Sequence, residues 1–473
     1  MNRGFIILAL LLLAGCARFQ PRPIIPAETA AKLDARALDD PDFKQFLEKN
    51  LGQPFAIWPP KSWDFETLTL AALYYHPSLS VARAQWQVAL GGKLTAAERP
   101  NPTVSAIPGY DFSAIGSGLS PWIPAVTFDL PIETAGKRGL RQAQAGHLSE
   151  SARLNIASAA WQVRGNLRAS LIDLAAARER EGLLQQQRTT QEQIVHSLEQ
   201  QMQAGAISSS ELALVQIDLD KIQLDLTDAR RQRADAHVRV ADAIGLSVKA
   251  LDGFELGYDL SAPPPAAAAG LTSAEVRGQA LQNRSDVLSA LSDYAASQSA
   301  LQLEIARQYP DIHFGPGYQY DQGDHKFTLA LTAELPLLNQ NQGPIAEAGA
   351  RRAEVAARFV ALQAKVITEI DRAVTAYHVT VENLATLESL ASAHKKQTAV
   401  VEAQVNAGAA SPLDLLNSKL ELGAGELVRL DGRMKLQQAL AALEDAVQRP
   451  IDSMKPALIE QPRRSSATKE EKQ

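Results

Sequence analysis

The chain has 473 residues, of which 46% are hydrophobic and 21% charged, and these proportions exclude a largely disordered protein. Its formal net charge of −6 gives no electrostatic reason to expect nucleic acid as a partner. A chain of this length ordinarily suggests about three domains, but the long helical patterns described below favour an elongated molecule.

The first residues have the pattern of a secretory signal. An apolar run over residues 5–14 is too short to span a bilayer and ends in Leu13-Ala14-Gly15-Cys16. This ending resembles the lipobox of bacterial lipoproteins, which makes residues 1–15 a signal peptide and Cys16 the lipidated residue. Cys16 is the only cysteine, so disulfides within the chain are excluded, and a free structural thiol is the alternative.

The residue after the cysteine bears on location. Lipoproteins of this type that stay in the inner membrane favour aspartate there, whereas this chain has Ala17. The resemblance therefore implies the outer membrane of a Gram-negative bacterium, with the chain anchored by lipid and extending into the periplasm. Residues 16–62 contain many prolines, so we expect an extended tether, with one short helix around residues 41–50.

A first repeat is predicted over residues 63–257. A helical pattern over residues 64–98 is interrupted near His76 and ends at Arg99-Pro100-Asn101-Pro102, because proline leaves the helical region. Alternating residues then predict a strand hairpin over residues 104–130. Apolar residues spaced by three and four follow, first to Gln203 and then to Ile244, and predict a long helix and a shorter one.

The same order returns after a linker rich in proline and alanine at residues 258–273. The second repeat, residues 274–450, is predicted to contain one helix to Arg307, a hairpin over residues 312–335, a second long helix to Asn406 and a last helix to Val447. Residues 451–473 have mixed charge and predict a disordered tail. We therefore expect a mainly α fold with a small β part, built from a duplicated long-helix coiled coil.

Two matching helix corners support the duplication. Residues 204–212 and 407–415 have the same plan: a glycine that can end a helix, then a serine that can cap the next one, with an acid three residues later. Two residues of the second corner have candidate roles beyond turning the chain. Asp414 is expected first to cap its helix with Ser411, and Asn417 lies just beyond it.

Four strands of about nine residues suit tilted transmembrane strands, but four strands from one chain cannot close a barrel. If they enter lipid, several chains must contribute, because open edges cannot face lipid. The alternative is a small soluble sheet packed on the helices.

These features together resemble the TolC-like outer-membrane efflux proteins over roughly residues 64–450. The motifs Leu335-Pro336-Leu337-Leu338-Asn339-Gln340-Asn341-Gln342-Gly343 and Arg99-Pro100-Asn101-Pro102 are similar to the heavy-metal efflux branch. The resemblance implies a homotrimer with a twelve-stranded barrel in outer-membrane lipid, continued by a helical tunnel. It also implies two partners, a periplasmic adaptor protein and an inner-membrane pump, and no catalysis by the duct itself.

The resemblance gives the corners further roles. It places a channel constriction, or gate, at Asp414 and Asn417, although the asparagine puts a double acidic ring in doubt. It implies adaptor docking at the small residues of the tips, which are Gly205, Ala206, Ser208, Gly408, Ala409 and Ser411.

No catalytic motif appears, so we expect no enzyme, no cofactor and no metal site. The eight histidines form no short ligand pair, although His313 and His325 flank one hairpin. The leading hypothesis is a passive outer-membrane channel of a tripartite efflux system, with heavy-metal cations, drugs or other small molecules as cargo. The alternatives are a non-channel periplasmic scaffold lipoprotein with a coiled coil and a metal-binding lipoprotein.

Overall fold

The computed structural model describes residues 19–451 except 115, 117, 266, 267 and 269–271, and it is mainly helical with a small sheet. The predicted signal peptide, Cys16 and nearly all of the predicted tail lie outside these residues. The helices are, in chain order, α1 (Pro26–Asp34), α2 (Pro41–Leu51), α3 (Phe65–Tyr75), α4 (Pro77–Ala97), α5 (Lys137–Gln203), α6 (Ser209–Ile244), α7 (Ser273–Asn283), α8 (Ser285–Ala306), α9 (Gln342–Asn406) and α10 (Pro412–Val447).

The strands fall into two groups. A four-stranded antiparallel sheet has the order β2-β3-β5-β6, and a short parallel pair joins β1 to β4. The strands are β1 (Ser62–Trp63), β2 (Thr103–Tyr110), β3 (Trp122–Ile132), β4 (Glu255–Leu256), β5 (Ile312–Asp321) and β6 (Asp324–Ala333). Both predicted hairpins are therefore present, and β3 and β5 join them into one sheet.

The long helices α5 and α9 have 67 and 65 residues and each follows one hairpin. At about 1.5 Å per residue each is about 100 Å long, so both helix corners lie far from the sheet and at similar distances from it. None of the described helices is long and apolar enough to cross a membrane.

The break between α7 and α8 differs from the single helix that the sequence predicts there. Arg284 has an extended ψ of 128°, and the corresponding break at His76 has a ψ of 127°. The two breaks are 208 residues apart, the same offset as Pro102 and Pro310. Arg284 escaped notice because no proline follows it. Its guanidinium instead pairs with Asp286 at 2.7 Å and donates to the carbonyl of Ala446 at 2.9 Å.

The N-terminal segment is more structured than the extended tether that its prolines predict. The expected short helix is present as α2, and α1 precedes it. Leu38, Phe43 and Leu47 are fully buried in a core that includes Trp63. This burial holds the segment against α3 and the end of α6, because apolar contacts outweigh the weak helix pattern of the segment.

The helices form a layer with two open sides. Near the sheet the neighbours run in the order α4, α5, α8, α9, and near the corners the order is α6, α5, α10, α9. In the described part of the chain, α9 does not pack against α4 or α6. The sheet has its own free edges at β2 and β6. One side of the molecule therefore presents β2, α4 and α6, and the other presents β6 and α9.

A buried ionic cluster joins the two repeats within this layer. Glu444 of α10 accepts hydrogen bonds from Arg164, at 2.9 Å, and from Arg168 of α5. Arg168 also donates to the hydroxyl of Tyr258, in the central linker, at 3.1 Å. Removing one partner of such a buried pair typically costs about 3–5 kcal/mol, because the remaining charge is left uncompensated.

Candidate functional site

The sheet has two chemically different faces. Pairing of Val126 with Tyr318, and of Tyr318 with Phe327, places these residues on one face. In the four strands this face contains no Asp, Glu, Lys or Arg. Its members are Val104, Ala106, Pro108, Tyr110, Trp122, Pro124, Val126, Phe128, Leu130, Ile132, Ile312, Phe314, Pro316, Tyr318, Tyr320, His325, Phe327, Leu329, Leu331 and Ala333.

This apolar face is uncovered. Phe327, Leu329 and Leu331 are 81%, 65% and 70% exposed. A continuous apolar surface of this kind is costly in water and marks a contact with lipid or with another protein. Tyr110 packs on Trp122 with ring centroids 5.0 Å apart at the loop end of the sheet, where an interfacial aromatic girdle would lie.

The opposite face carries all the charged residues of the four strands, namely Asp129, Asp321, Asp324 and Lys326. His313 lies on this face and its ring nitrogen is 3.0 Å from Asp129. His325 lies on the apolar face near the other end of the hairpin, where it contacts the hydroxyl of Tyr318 at 2.7 Å. The two histidines therefore do not meet, and the described residues contain no group of three or more potential metal ligands.

The strands are fixed to the long helices by polar contacts at their base. Lys137, the first residue of α5, is buried and donates to the carbonyl of Tyr309 at 2.6 Å and to Asp311 at 2.8 Å. Gly136 and Asn341 precede the two long helices, 205 residues apart, and both have a left-handed backbone. Glycine and asparagine are the residues that adopt this conformation most readily.

Both corners have the same geometry. Gly205 and Gly408 have φ values of 72° and 74°. The next amide in each, from Ala206 and Ala409, donates 2.8 Å back to the preceding helix. This is the Schellman pattern, which satisfies helix-end carbonyls that would otherwise lack donors.

The second corner places Asp414 in a capping box. The backbone N–H and the hydroxyl of Ser411 donate to the Asp414 carboxylate at 2.9 and 2.8 Å, and these bonds lower the pKa of Asp414. Glu211 makes the equivalent contacts with Ser208 in the first corner. Asn417 is exposed and lies one turn beyond Asp414. The capping geometry leaves open whether either residue also lines a constriction.

The six small residues expected at an adaptor-docking tip are all exposed, and they are Gly205, Ala206, Ser208, Gly408, Ala409 and Ser411. A Cβ atom added at either glycine would meet nothing within 4 Å. The tips therefore present an open, low-relief surface formed by the two corners.

The comparisons with known proteins agree with this geometry. The model of the outer membrane efflux protein family matches residues 70–246 and 276–447. The chain belongs to this family. The two matched ranges correspond to the two repeats and omit the central linker.

Individual relatives are more distant. The cobalt-zinc-cadmium resistance protein CzcC of Cupriavidus metallidurans is 23% identical over 275 residues, which cover 56% of this chain and 61% of that protein's length. The fold is similar to that of the outer membrane protein VceC of Vibrio cholerae, with a TM-score of 0.67, 17% identity and coverage of 82% and 96% of the two chains. The Neisseria gonorrhoeae outer membrane channel MtrE, in its open state, gives 0.66, 17%, 82% and 89%.

The sequence analysis missed the ionic cluster around Glu444. Arg164 and Arg168 stand beside Val163, Leu167 and Leu171 on the same helical stripe, which is an unusual place for arginine. That position was the available signal, because arginine is rarely buried unless it is paired.

Proposed function

We propose that this protein is the outer-membrane channel of a tripartite efflux system, and that three copies form one closed duct. The observation that carries the proposal is the uncovered sheet face that lacks charge, with two free edges, at the end of helices about 100 Å long. Strands cross a membrane only when no edge is left unpaired. Three copies of four strands give a twelve-stranded barrel, with the apolar face toward lipid and the charged face toward the lumen.

Matching exposed residues on the two open sides of the helix layer support closure by further copies. Leu224 lies 15 residues after the start of α6 at Ser209, and Leu390 lies 16 residues before the end of α9 at Asn406. Both are exposed, although they are large and apolar. Because both counts start at a corner, the two leucines lie at nearly the same height.

The same match holds along the rest of the seam. Ile217 corresponds in height to Val400, and Val238 to Val379, and all four side chains are exposed. When α6 of one copy packs on α9 of the next, these side chains are buried, which gives the burial free energy that an isolated chain lacks.

The remaining assignments rest on family membership. Cys16 is the lipidated residue that anchors the chain to the outer membrane. The exposed corner residues dock a periplasmic adaptor, which connects the duct to an inner-membrane pump. Asp414 and Asn417 form rings of three at the periplasmic entrance. Cobalt, zinc and cadmium ions are the cargo suggested by the name of CzcC, and an acidic ring favours cations.

Planar-bilayer conductance of the detergent-extracted protein tests the channel, with two variants of adjacent residues on β6. Leu329 lies on the apolar face and Ala330 on the charged face, and both are exposed in the isolated chain. A lysine facing lipid at mid-membrane costs roughly 2–4 kcal/mol. We therefore expect Leu329→Lys to reduce membrane-inserted trimer strongly and Ala330→Lys to conduct like the unmodified protein.

If the unmodified protein is a monomer without conductance, or if both variants behave alike, the channel proposal is wrong. A periplasmic scaffold lipoprotein is the alternative that those results would favour.

A further inference from the structure

A cleft of about 460 Å³ lies between α5, α6 and the loop before β4, away from the sheet and the corners. Its walls combine apolar and basic groups. Leu174 and Leu251 are buried, and Phe254 is half-buried. The polar residues that line it are Arg178, Glu181, Arg230, Arg233, His237 and Asp252.

The arginines of this cleft share too few acidic partners. Glu181 accepts from Arg230 at 3.2 Å and from Arg233 at 2.9 Å, so one carboxylate serves two guanidinium groups. Arg178 donates only to a neutral acceptor, the carbonyl of Leu256, at 2.8 Å. Asp252 is the other acid that lines the cleft, and no ion pair joins it to these arginines.

Arg178 bears the cost of this imbalance. Burial lowers the pKa of Arg178, the nearby positive charge of Arg233 lowers it further, and Glu255 offsets only part of the effect. An arginine left short of negative charge in a partly enclosed site is stabilised by any anion that enters.

We propose that this cleft binds a small organic anion, with its carboxylate or phosphate group on Arg178 and Arg233 and its apolar body against Leu174, Leu251 and Phe254. The planar guanidinium fork matches the oxygen atoms of both groups. The volume lies in the lower part of the range of small-molecule sites, roughly 300–1,000 Å³. The proposal does not depend on channel activity.

Titration calorimetry of the purified full-length protein in detergent tests the proposal with three probes. N-acetylleucine carries a carboxylate on an apolar body, inorganic phosphate supplies the oxyanion alone, and N-acetylleucinamide is the neutral analogue. We expect N-acetylleucine to bind more tightly than phosphate, because it also contacts the apolar wall, and the amide not to bind. Tighter binding of phosphate would make the site a phosphate site without an apolar requirement and would overturn the second half of the proposal.

Variants separate a binding role from a structural one. Arg178→Gln should weaken N-acetylleucine binding about tenfold or more, since a charged hydrogen bond contributes about 1.5–3 kcal/mol. Glu181→Gln should strengthen binding, because it frees the charge of two arginines. Arg231→Gln is the matched control, since Arg231 is on α6 but pairs with Asp228 and Asp235 of its own helix. Its binding should not change.

Arg233→Gln covers the case in which loss of the Arg178 contact to Leu256 unfolds the loop. Arg233 is about half exposed, so this variant should fold and should bind the anion more weakly. Absence of saturable binding by both charged probes, or equal affinities in the unmodified protein, Arg233→Gln and Glu181→Gln, would show that the cleft contains structural ion pairs only.

Discussion

Glu444 and Asp445 are adjacent acids on α10 with different surroundings. Glu444 is paired with two arginines, whereas no ion pair involves Asp445 within the described residues. Asp445 packs on the backbone of Gly165, where an added Cβ would lie 2.7 Å from its carboxylate oxygen. Glycine at 165 therefore allows α5 and α10 to approach closely at the centre of the molecule.

Burial raises the pKa of Asp445 to about 6, with Glu444 adding to the effect and Arg164, Arg168 and Arg284 opposing it. The folded protein therefore holds this proton to a higher pH than the unfolded chain, whose carboxyl has a pKa near 3.8. The stabilising effect of protonation is complete below about pH 4 and is lost as the pH rises through about 6.

Asp445→Asn removes this titration. We expect the variant to be more stable than the unmodified protein at pH 8, by on the order of 2–3 kcal/mol, and the difference to vanish near pH 4. Thermal unfolding in detergent between pH 4 and pH 8 measures the effect. Asp220→Asn, an exposed change on α6, is the control. A difference that stays constant over this range would contradict the assignment.

At the scale of single elements, helix ends combine local stability with a proposed gate. The cap at Asp414 needs an oxygen that accepts from Ser411, and a gate needs the negative charge. Asparagine can supply the first but not the second. Glu211 has the same cap in the other corner and has no proposed place in the constriction.

We expect Asp414→Asn to lower the cation preference of the channel several-fold while leaving thermal stability nearly unchanged. Asp414→Ala should lower both, and Glu211→Gln should alter neither. Reversal potentials under a salt gradient, combined with unfolding temperatures, distinguish these outcomes. If ion preference is unchanged in both Asp414 variants and only the alanine variant loses stability, capping is the whole role of the residue.

At the scale of the whole molecule, the open sides of the sheet and of the helix layer coincide. One copy offers β6 and α9, and the next must offer β2 with α4 and α6. Such a head-to-tail contact gives a ring when the rotation closes. The seam then has a definite register, set by the distance of each residue from the corners.

Paired cysteines test this register. Leu224→Cys with Leu390→Cys should give crosslinked dimers and trimers with a short thiol-specific reagent, because the two positions are level. Leu224→Cys with Val400→Cys is the matched control. Val400 lies only 6 residues from Asn406, so it is displaced by about 13 Å along the helix. Equal crosslinking of the two pairs on denaturing gels would refute the seam.

Local signals in the sequence account for much of this architecture. Ser208 and Ser411 begin α6 and α10 as predicted, because a cap depends on residues within one helical turn. The hairpins were predicted to within about two residues at their ends, since strand alternation is also local. Arg284 shows the limit: its helix break depends on Asp286 and on Ala446, which is 162 positions away.

The sequence alone therefore determined the helices, the hairpins, the corners and the duplication, because each depends on neighbouring residues or on repetition. Only the tertiary structure decided which strands meet, since β3 and β5 belong to different repeats. It also decided that Glu444 pairs with Arg168, that Arg178 lacks an acidic partner, and that Leu224 and Leu390 are level. Such relations join residues far apart in the chain, where periodicity and turn chemistry carry no information about distance.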